Sequence, residues 1–305
     1  MGSWYFVLIF NGMDAKIKAW ILLTFTMLFW GMSFVWTRQL LDYFSPITII
    51  TLRLVLSSIF LVIFSFVIGR LKTIKRNDIK WFFLLAFFQP FLYFIFEGYG
   101  IKATSASFAA IIIATIPLFT PLGAWLVLKE RITVMNFIGL FISFGGVALI
   151  IFNDKYGIAF SFAGFLILLG AVISAVGYML VLKKLTGNYN SFTIATWQNV
   201  IGIVLFSPFF LSMSLPEFHD LQLTKTIVWP LLALAILASS LAFIFNTYGV
   251  RELGPSKASA FTNSVPVFTV VFAFLLLNEP IGWVKVTGMA TVIVGLVLAQ
   301  QSKKR

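Results

Sequence analysis

Long runs of apolar residues constrain the fold of this chain more than any other feature of its sequence. Clear examples are residues 81–96, 108–128 and 266–277. A run of about 20 residues matches the roughly 30 Å hydrocarbon core of a bilayer at about 1.5 Å per helical residue. Backbone polar groups must find partners within the segment there, and the alternation typical of a barrel is absent, so these runs predict transmembrane helices.

Composition supports the same fold class and excludes several functions. Of 305 residues, 60% are hydrophobic and 10% are charged, which is too little polar surface for a soluble domain of this size. The chain has no cysteine and only one histidine, His219, so we expect no disulfide, no metal site and no cofactor. The isolated carboxylates form no convergent acid–base constellation, so an enzyme is not expected.

The apolar pattern predicts an all-α integral membrane protein of ten transmembrane helices. The predicted spans are 17–38, 46–69, 79–100, 104–128, 133–152, 160–183, 191–212, 227–249, 256–277 and 281–300. The segment 215–226, which carries Glu217, His219 and Asp220, is interpreted as a polar connection.

The basic residues predict the orientation of these spans. The formal charge of +12 reads as an orientation signal rather than as a sign of nucleic-acid binding. Sixteen Lys and Arg residues lie on the side of the two termini and five on the opposite side, with Arg53 inside a helix. Because short cytoplasmic connections carry the positive excess, both termini are expected in the cytoplasm, as in a multi-pass protein of the inner (plasma) membrane.

An internal repeat is visible at an offset of 149 residues. Tyr99-Gly100-Ile101-Lys102 corresponds to Tyr248-Gly249-Val250-Arg251, and the register continues without a gap for some fifty residues. It pairs Ser107 with Ser256, Pro117 with Pro266, Glu130 with Glu279, Gly139 with Gly288 and Gly146 with Gly295. A register held through Pro, Glu and Gly indicates a duplication rather than shared hydrophobicity.

Each half contains five predicted helices, so the second half is expected to enter the membrane upside down. Two inverted halves allow one central site to open alternately to either side of the membrane. The expected organisation is a leader over 1–16, a first five-helix repeat over 17–152, a linker over 153–157, a second inverted repeat over 158–300 and a basic cytoplasmic tail over 301–305. Met13 is an alternative start of the chain, within that leader.

The chain resembles the EamA-type family of the drug/metabolite transporter superfamily over about residues 18–300. The residues that carry the resemblance are Trp30-Gly31-Met32-Ser33, Arg53 in its Ile50–Leu54 context, Tyr99–Ser107, Pro117, Leu128–Arg131, Gly139, Gly145-Gly146, Pro266, Leu277–Pro280 and Gly288. Their order, spacing and repetition are more specific than any one of them. The resemblance implies ten helices, cytoplasmic termini, a central substrate cavity and export of amino acids or related metabolites.

Two charged residues lie within predicted spans, where a charge costs roughly 2.5–3.5 kcal/mol on insertion scales. Glu97 lies near the outer end of the third helix, and Arg53 lies at similar depth in the second. Three interpretations of Glu97 stay open: an ion pair with Arg53, a cavity carboxyl that carries protons, or a side chain that reaches the headgroups. Arg53 is either structural or attracts a substrate carboxylate.

Other candidate site residues are polar, aromatic or proline residues inside apolar runs. Pro117 and Pro266 are expected at equivalent mid-helix positions, where each would free a carbonyl, at Ile113 and Thr262, and act as a packing kink or a hinge. Asn263 and Asn246 are candidates for substrate contact or for helix–helix hydrogen bonds. The candidates for an aromatic cavity wall are Trp30, Tyr93, Tyr178 and Trp197.

These features predict a secondary transporter that exports small metabolites such as amino acids by alternating access. No Walker motif is present, so ATP is not expected to drive transport directly. Proton antiport and passive facilitation are the two remaining mechanisms. The expected partners are a small-molecule substrate, the lipid bilayer and, as a candidate coupling ion, the proton; no nucleic acid is expected, and the oligomeric state stays open. The alternatives are a lipid or lipid-linked-sugar flippase and, further away, a polytopic membrane enzyme or scaffold.

Overall fold

All secondary structure in the described part of the chain is helical. The computed structural model describes residues 14–128, 161–218, 224–279 and 281–300, with scattered positions between 134 and 149. Within these residues, eight helices are long and apolar enough to cross a membrane, and a shorter apolar segment follows at Val286–Gly295. Most of the predicted fifth span lies outside the described residues, as do the linker 153–157, Glu130, the leader up to Met13 and the tail.

The first half contributes four described spans. They are α1 (Ala15–Leu40), α2 (Pro46–Val67), a third span of α3 (Ile79–Ala86), a π-helical segment (Phe87–Leu92) and α4 (Tyr93–Ala103), and a fourth span of α5 (Ala106–Ile113) and α6 (Ile116–Leu128).

The second half contributes five. They are α7 (Phe162–Leu185), α8 (Ser191–Met213), a span of α9 (Lys225–Ala233), a π-helical segment (Leu234–Leu241) and α10 (Ala242–Leu253), a span of α11 (Pro255–Ala260), a 3₁₀ turn (Phe261–Ser264) and α12 (Val265–Leu277), and α13 (Trp283–Gln300). The predicted spans of the described part agree with these bounds to within a few residues.

Short polar side chains at the first turns explain where several helices begin. The Asp14 carboxylate accepts hydrogen bonds from the amides of Lys16 and Ile17, at 2.8 and 3.3 Å, and so caps α1. The hydroxyl of Ser45 accepts from the amide of Thr48 at 3.4 Å, directly before the proline that opens α2. These caps satisfy amides that would otherwise lack partners at the membrane surface.

The third span of each half carries a π-helical segment, at 87–92 and at 234–241. The offset of 149 places the first segment on residues 236–241 of the second, so the two halves repeat this irregularity in structure as well as in sequence. In the first half the segment contains a break at Gln89 (φ −148°, ψ 119°), immediately before Pro90. The predicted span 79–100 is therefore interrupted where it was expected to be continuous.

Pro117 and Pro266 do not lie in the middle of a helix. α5 ends at Ile113, and Pro117 is the second residue of α6. Likewise, Pro266 is the second residue of α12, after the 3₁₀ turn. A proline in the first helical turn removes no helical hydrogen bond, because the amide there has no partner within the helix. The expected kinks are thus breaks between two helical pieces.

Two glycines at equivalent positions of the repeat let the halves pack closely. A Cβ on Gly100 of α4 would lie 2.4 Å from Leu168 Cδ2 on α7, and one on Gly249 of α10 would lie 2.5 Å from Leu23 Cδ2 on α1. Each glycine therefore allows its span to approach the first helix of the other half. The two contacts are crossed, so each half packs its third span on the other half.

Candidate functional site

A cavity lies between the two halves, and both contribute to its wall. Its free volume, the part that a water-sized sphere can occupy, is about 40 Å³. The polar or charged lining residues are Trp30, Ser33, Arg53, Gln89, Tyr93, Glu97, Tyr178, Asn246 and Thr262. The rest of the wall is apolar, from Phe34, Phe94, Ile113, Ile116, Ala175, Met179 and Val265.

Arg53 lies in the third turn of α2 and is 2% exposed. Its Nε donates a hydrogen bond to the Ser239 hydroxyl, at 2.8 Å, in the π-helical segment of the other half. Its guanidinium carbon lies 4.2 Å from the centroid of the Phe94 ring. One edge of the guanidinium is thus held by the protein and one face by an aromatic ring, which fixes the orientation of the group in the cavity.

Glu97 lies on α4, one turn beyond Tyr93, and is 6% exposed. Its carboxylate lies near the Tyr93 hydroxyl, and Arg53 acts on it electrostatically. The two charged groups, both within the described residues, do not form an ion pair within 4 Å. Of the three interpretations of Glu97, this geometry favours the cavity carboxyl, because the side chain is buried away from any surface and is not locked in direct contact with Arg53.

A hydrogen-bonded network surrounds the Arg53 anchor. Asn199 Nδ2 donates to the Ser57 hydroxyl at 3.1 Å and to the Ser239 carbonyl at 2.9 Å. The hydroxyls of Ser57 and Ser240 are 2.8 Å apart. The serines of this network were not predicted from the sequence, because serine is common in membrane helices and nothing in its spacing marked these three.

A second polar group lies across the cavity, around Tyr178 on α7 and Asn246 on α10. The Tyr178 hydroxyl faces the side chains of Gln198, Asn246 and Thr247. None of them gives it a hydrogen bond of good geometry, and both side-chain polar atoms of Asn246 are likewise without a partner. Asn246 and Gln198 are each 1% exposed, so water outside the protein does not reach them.

The remaining predicted site residues lie in different places. Trp30 lines the cavity, and its indole Nε1 donates to the Ala238 carbonyl at 3.3 Å. Trp197 does not line it: its Nε1 donates to the Lys72 carbonyl at 2.9 Å, in the connection after α2. Asn263 lies in the 3₁₀ turn, buried, outside the lining set and with its amide oxygen unpartnered.

The breaks before the two prolines also reach the cavity. Ile113 precedes the break of the fourth span and Thr262 lies in the 3₁₀ turn, and both residues line the wall. Sequence reasoning missed Gln89 and Ser33 as lining residues. A signal for Gln89 was present, since a lone amide next to a proline interrupts the apolar run 81–96.

The arrangement suits reversible binding rather than catalysis. A cation, an anion and several neutral hydrogen-bonding groups face one space between two halves of the protein. Among the residues that the structure describes, no group of three His, Cys, Asp or Glu side chains could hold a metal ion. The fold and the site together define a membrane transporter.

Comparison with known proteins gives the family. The EamA-like transporter family matches twice, over residues 17–152 and 162–300. Since these two matches cover most of the chain, the protein belongs to the EamA-like transporter family of the drug/metabolite transporter superfamily. It carries two EamA domains, in agreement with the internal repeat.

Curated relatives are transporters without a stated substrate. An uncharacterized transporter of Archaeoglobus fulgidus is 28% identical over 290 residues, which cover 94% of this chain and 100% of that protein. The uncharacterized transporter YyaM of Bacillus subtilis is 28% identical over 93% of each chain. A solved crystal structure is similar with a TM-score of 0.70 over 95% of this chain and 100% of that one, at 12% identity, which shows the fold alone.

Proposed function

We propose that this protein is a secondary transporter of the inner membrane that exports small metabolites such as amino acids by alternating access through the central cavity. The observation that carries the proposal is that Arg53 and Glu97 line one cavity between the two halves and are not paired with each other within 4 Å. Two opposite charges held apart in a low-dielectric site attract a solute that carries both signs.

The energetics favour a bound zwitterion over an empty site. Each buried charge is costly in a membrane, by roughly 2.5–3.5 kcal/mol on insertion scales, unless it has a partner. An α-carboxylate placed against the Arg53 guanidinium and an α-ammonium placed against Glu97 would supply both partners at once. Arg53 is suited to this because a planar guanidinium binds a carboxylate through two parallel hydrogen bonds.

Alternating access requires two halves of inverted topology, and we include this arrangement in the proposal. The first repeat would extend over 17–152 and the second over 158–300. The fifth span of the first repeat, 133–152, would bring the total to ten. The crossed contacts of Gly100 and Gly249 support it, since each half packs its third span on the first helix of the other. The distribution of Lys and Arg supports cytoplasmic termini as part of the proposal.

The proposed driving force is proton antiport, with Glu97 as the proton-carrying group. Glu97 is the acidic residue among the lining side chains that the structure describes, and a carboxyl can bind either a proton or a substrate ammonium. Competition between the two for one group would couple their movements in opposite directions. Passive facilitation is the alternative that the experiment separates from this one.

The test is uptake into everted membrane vesicles against a panel of amino acids and amphiphiles, with and without a pH gradient. We expect vesicles with the protein to accumulate one or more amino acids when the interior is acidic, and to show counterflow of the same solute without the gradient. A Glu97→Gln vesicle set measures the coupling, and vesicles without the protein are the blank.

The outcomes separate the candidate functions. Counterflow without accumulation would replace antiport by passive facilitation. Movement of amphiphiles but not of amino acids would indicate the flippase alternative. Absence of counterflow for every solute tested would contradict the exporter proposal.

A further inference from the structure

The internal repeat relates Glu97 to Asn246. The register of 149 residues extends upstream of Tyr99, where Leu92, Phe94, Ile95 and Phe96 match Leu241, Phe243, Ile244 and Phe245. Within this stretch Glu97 falls on Asn246, and both side chains line the cavity. The first half therefore presents a carboxylate where the second half presents an amide on a side chain one methylene shorter.

A second correspondence relates Arg53 to Gln198. α2 begins at Pro46 and α8 at Ser191, so the starts of these two helices differ by 145 residues. An offset of 145 aligns Thr48-Ile49-Ile50-Thr51-Leu52-Arg53 with Thr193-Ile194-Ala195-Thr196-Trp197-Gln198. Arg53 then falls on Gln198. Gln198 lies against Tyr178, which lines the same cavity as Glu97. The charged pair of one half thus corresponds to an amide pair in the other.

The amide pair is buried with hydrogen bonds left unmade. The atoms concerned are Gln198 Oε1, Asn246 Oδ1, Asn246 Nδ2, Tyr178 Oη and Thr247 Oγ1. All four residues are at most 2% exposed. Buried polar groups almost always have partners, because leaving them without one is costly. Tyr178 and Asn246 line the cavity, and Gln198 and Thr247 lie beside the Tyr178 hydroxyl. This concentration of unmade hydrogen bonds indicates that something other than the protein supplies those partners when the site is in use.

We propose that the cavity has two lobes of different chemistry, an ionic lobe of Arg53 and Glu97 and a neutral lobe of Gln198, Asn246, Tyr178 and Thr247, and that the neutral lobe binds an uncharged amide or hydroxyl group of the cargo. This inference rests on the proposed function, since it concerns the side chain of the transported amino acid. It assigns the substrate class as amino acids with neutral polar side chains, in preference to apolar or charged ones.

The functional groups of the neutral lobe fit such a side chain. Asn246 offers a donor and an acceptor, the Tyr178 and Thr247 hydroxyls can do either, and Gln198 Oε1 accepts. A ligand amide needs both kinds of partner, and a ligand hydroxyl needs at least one. An apolar side chain of the same shape would leave these groups unpartnered, and a charged one would meet no opposite charge in this lobe, so both classes are disfavoured.

The experiment uses matched pairs of amino acids and the full-length protein. Asparagine is compared with leucine, and threonine with valine, because the members of each pair differ in polarity at nearly constant shape. Purified protein in detergent is titrated with each amino acid while the thermal midpoint is followed, and the same four solutes are tested for counterflow in proteoliposomes. The variants are Asn246→Leu and Gln198→Leu, and Gln39→Leu near the end of α1 is the control.

We expect wild type and Gln39→Leu to prefer the polar member of each pair by about tenfold in apparent affinity. In Asn246→Leu and Gln198→Leu, the apparent affinities for asparagine and threonine are expected to fall to those for leucine and valine. The wild-type comparison needs no substitution, so the test stands even if a variant does not fold.

Three results would overturn the inference while leaving the transporter proposal intact: equal transport of both members of each pair, preference for the apolar member, or a polar preference unchanged in both lobe variants. The last of these would mean that ordered water alone occupies the lobe. If wild type moved none of the panel solutes, the proposed function itself would fail.

Discussion

The hydroxyl of Ser107 donates a hydrogen bond to Glu279 Oε2 at 2.6 Å, between two residues that are 172 positions apart in the sequence. Ser107 lies in the first turn of α5, and Glu279 follows the end of α12, so the bond joins the two halves at one end of the cavity. Hydrogen bonds of a neutral donor to a carboxylate are stronger than those between neutral groups. In the proposed topology this bond lies at the outer face of the protein, where we expect it to hold the two halves together in the outward-closed state.

Ser107→Ala is expected to shift the protein toward the state that opens at this end. Loss of a charge-assisted hydrogen bond of about 1.5–3 kcal/mol would change the ratio of closed to open states by about tenfold or more. The chain has no cysteine, so a Ser33→Cys substitution provides a single thiol in the cavity wall. Its labelling rate by an impermeant maleimide added from outside should rise about tenfold.

Ser212→Ala is the matched control, because the Ser212 hydroxyl bonds only to the Phe209 carbonyl of its own helix, at 3.1 Å. If the Ser33→Cys protein is labelled at the same rate with and without the Ser107→Ala substitution, the Ser107–Glu279 bond does not hold the outer end closed.

The sequence predicted the spans well because each span satisfies its own backbone and is read from local hydrophobicity. It also predicted that Arg53 and Glu97 lie at similar depth, since depth follows from position along a helix. It could not predict that Arg53 is anchored by Ser239, because that contact depends on how two helices from different halves rotate about their axes. Hydrophobic periodicity could not predict the helix break at Gln89 either.

The neutral lobe was within reach of the sequence but was not recognised. The match of Glu97 with Asn246 lies only two residues upstream of the Tyr99 motif in which the repeat was recognised. What the sequence does not contain is the pattern of unmade hydrogen bonds around Tyr178, which appears only once α7, α8 and α10 are packed together.

Glu97→Gln is expected to abolish accumulation driven by a pH gradient, while counterflow persists at saturating substrate with a raised KM. Glutamine has nearly the shape of glutamate but cannot exchange a proton, and the substrate ammonium loses its charged partner. The measurement is the ratio of accumulated to free substrate at several imposed gradients. Glu252→Gln, at an ion pair with Arg251 of 3.8 Å at the end of α10, serves as the control. Accumulation that follows the gradient in Glu97→Gln as in wild type would remove the coupling role.

Arg53→Lys is expected to weaken the binding of solutes that carry a carboxylate. Lysine keeps the charge but loses the Nε bond to Ser239 and the flat contact with Phe94. The KM for a transported amino acid should rise about tenfold, whereas the KM for the corresponding amino acid amide, which lacks the carboxylate, should change little. Arg251→Lys is the surface control. A rise of the same size for both solutes would instead indicate a purely structural role of Arg53.

Gly100→Ala and Gly249→Ala are expected to destabilise the protein by similar amounts, about 1–3 kcal/mol each, because overpacking forces the neighbouring helix to move. The added methyl groups would meet Leu168 and Leu23 at 2.4 and 2.5 Å. Thermal unfolding in detergent should show a lower midpoint for both variants. Gly187→Ala is the control, since its Cβ would have its nearest neighbour at 3.7 Å. A normal midpoint in either variant would mean that the two crossed contacts are not equivalent.

Equivalent positions of the two halves are expected to face opposite sides of the membrane. Arg131 and Pro280 are related by the offset of 149 residues, and in the proposed topology they lie in the cytoplasmic and the outer connections respectively. In intact cells an impermeant maleimide should therefore label Pro280→Cys but not Arg131→Cys, and permeabilisation should make both reactive. Absence of other thiols removes background from the chain itself. A five-helix unit inserted twice in the same sense would place both cysteines on one side of the membrane. Equal labelling in intact cells would therefore contradict the inverted repeat. Alternating access would then lack the exchange of conformations between two inverted halves that it needs.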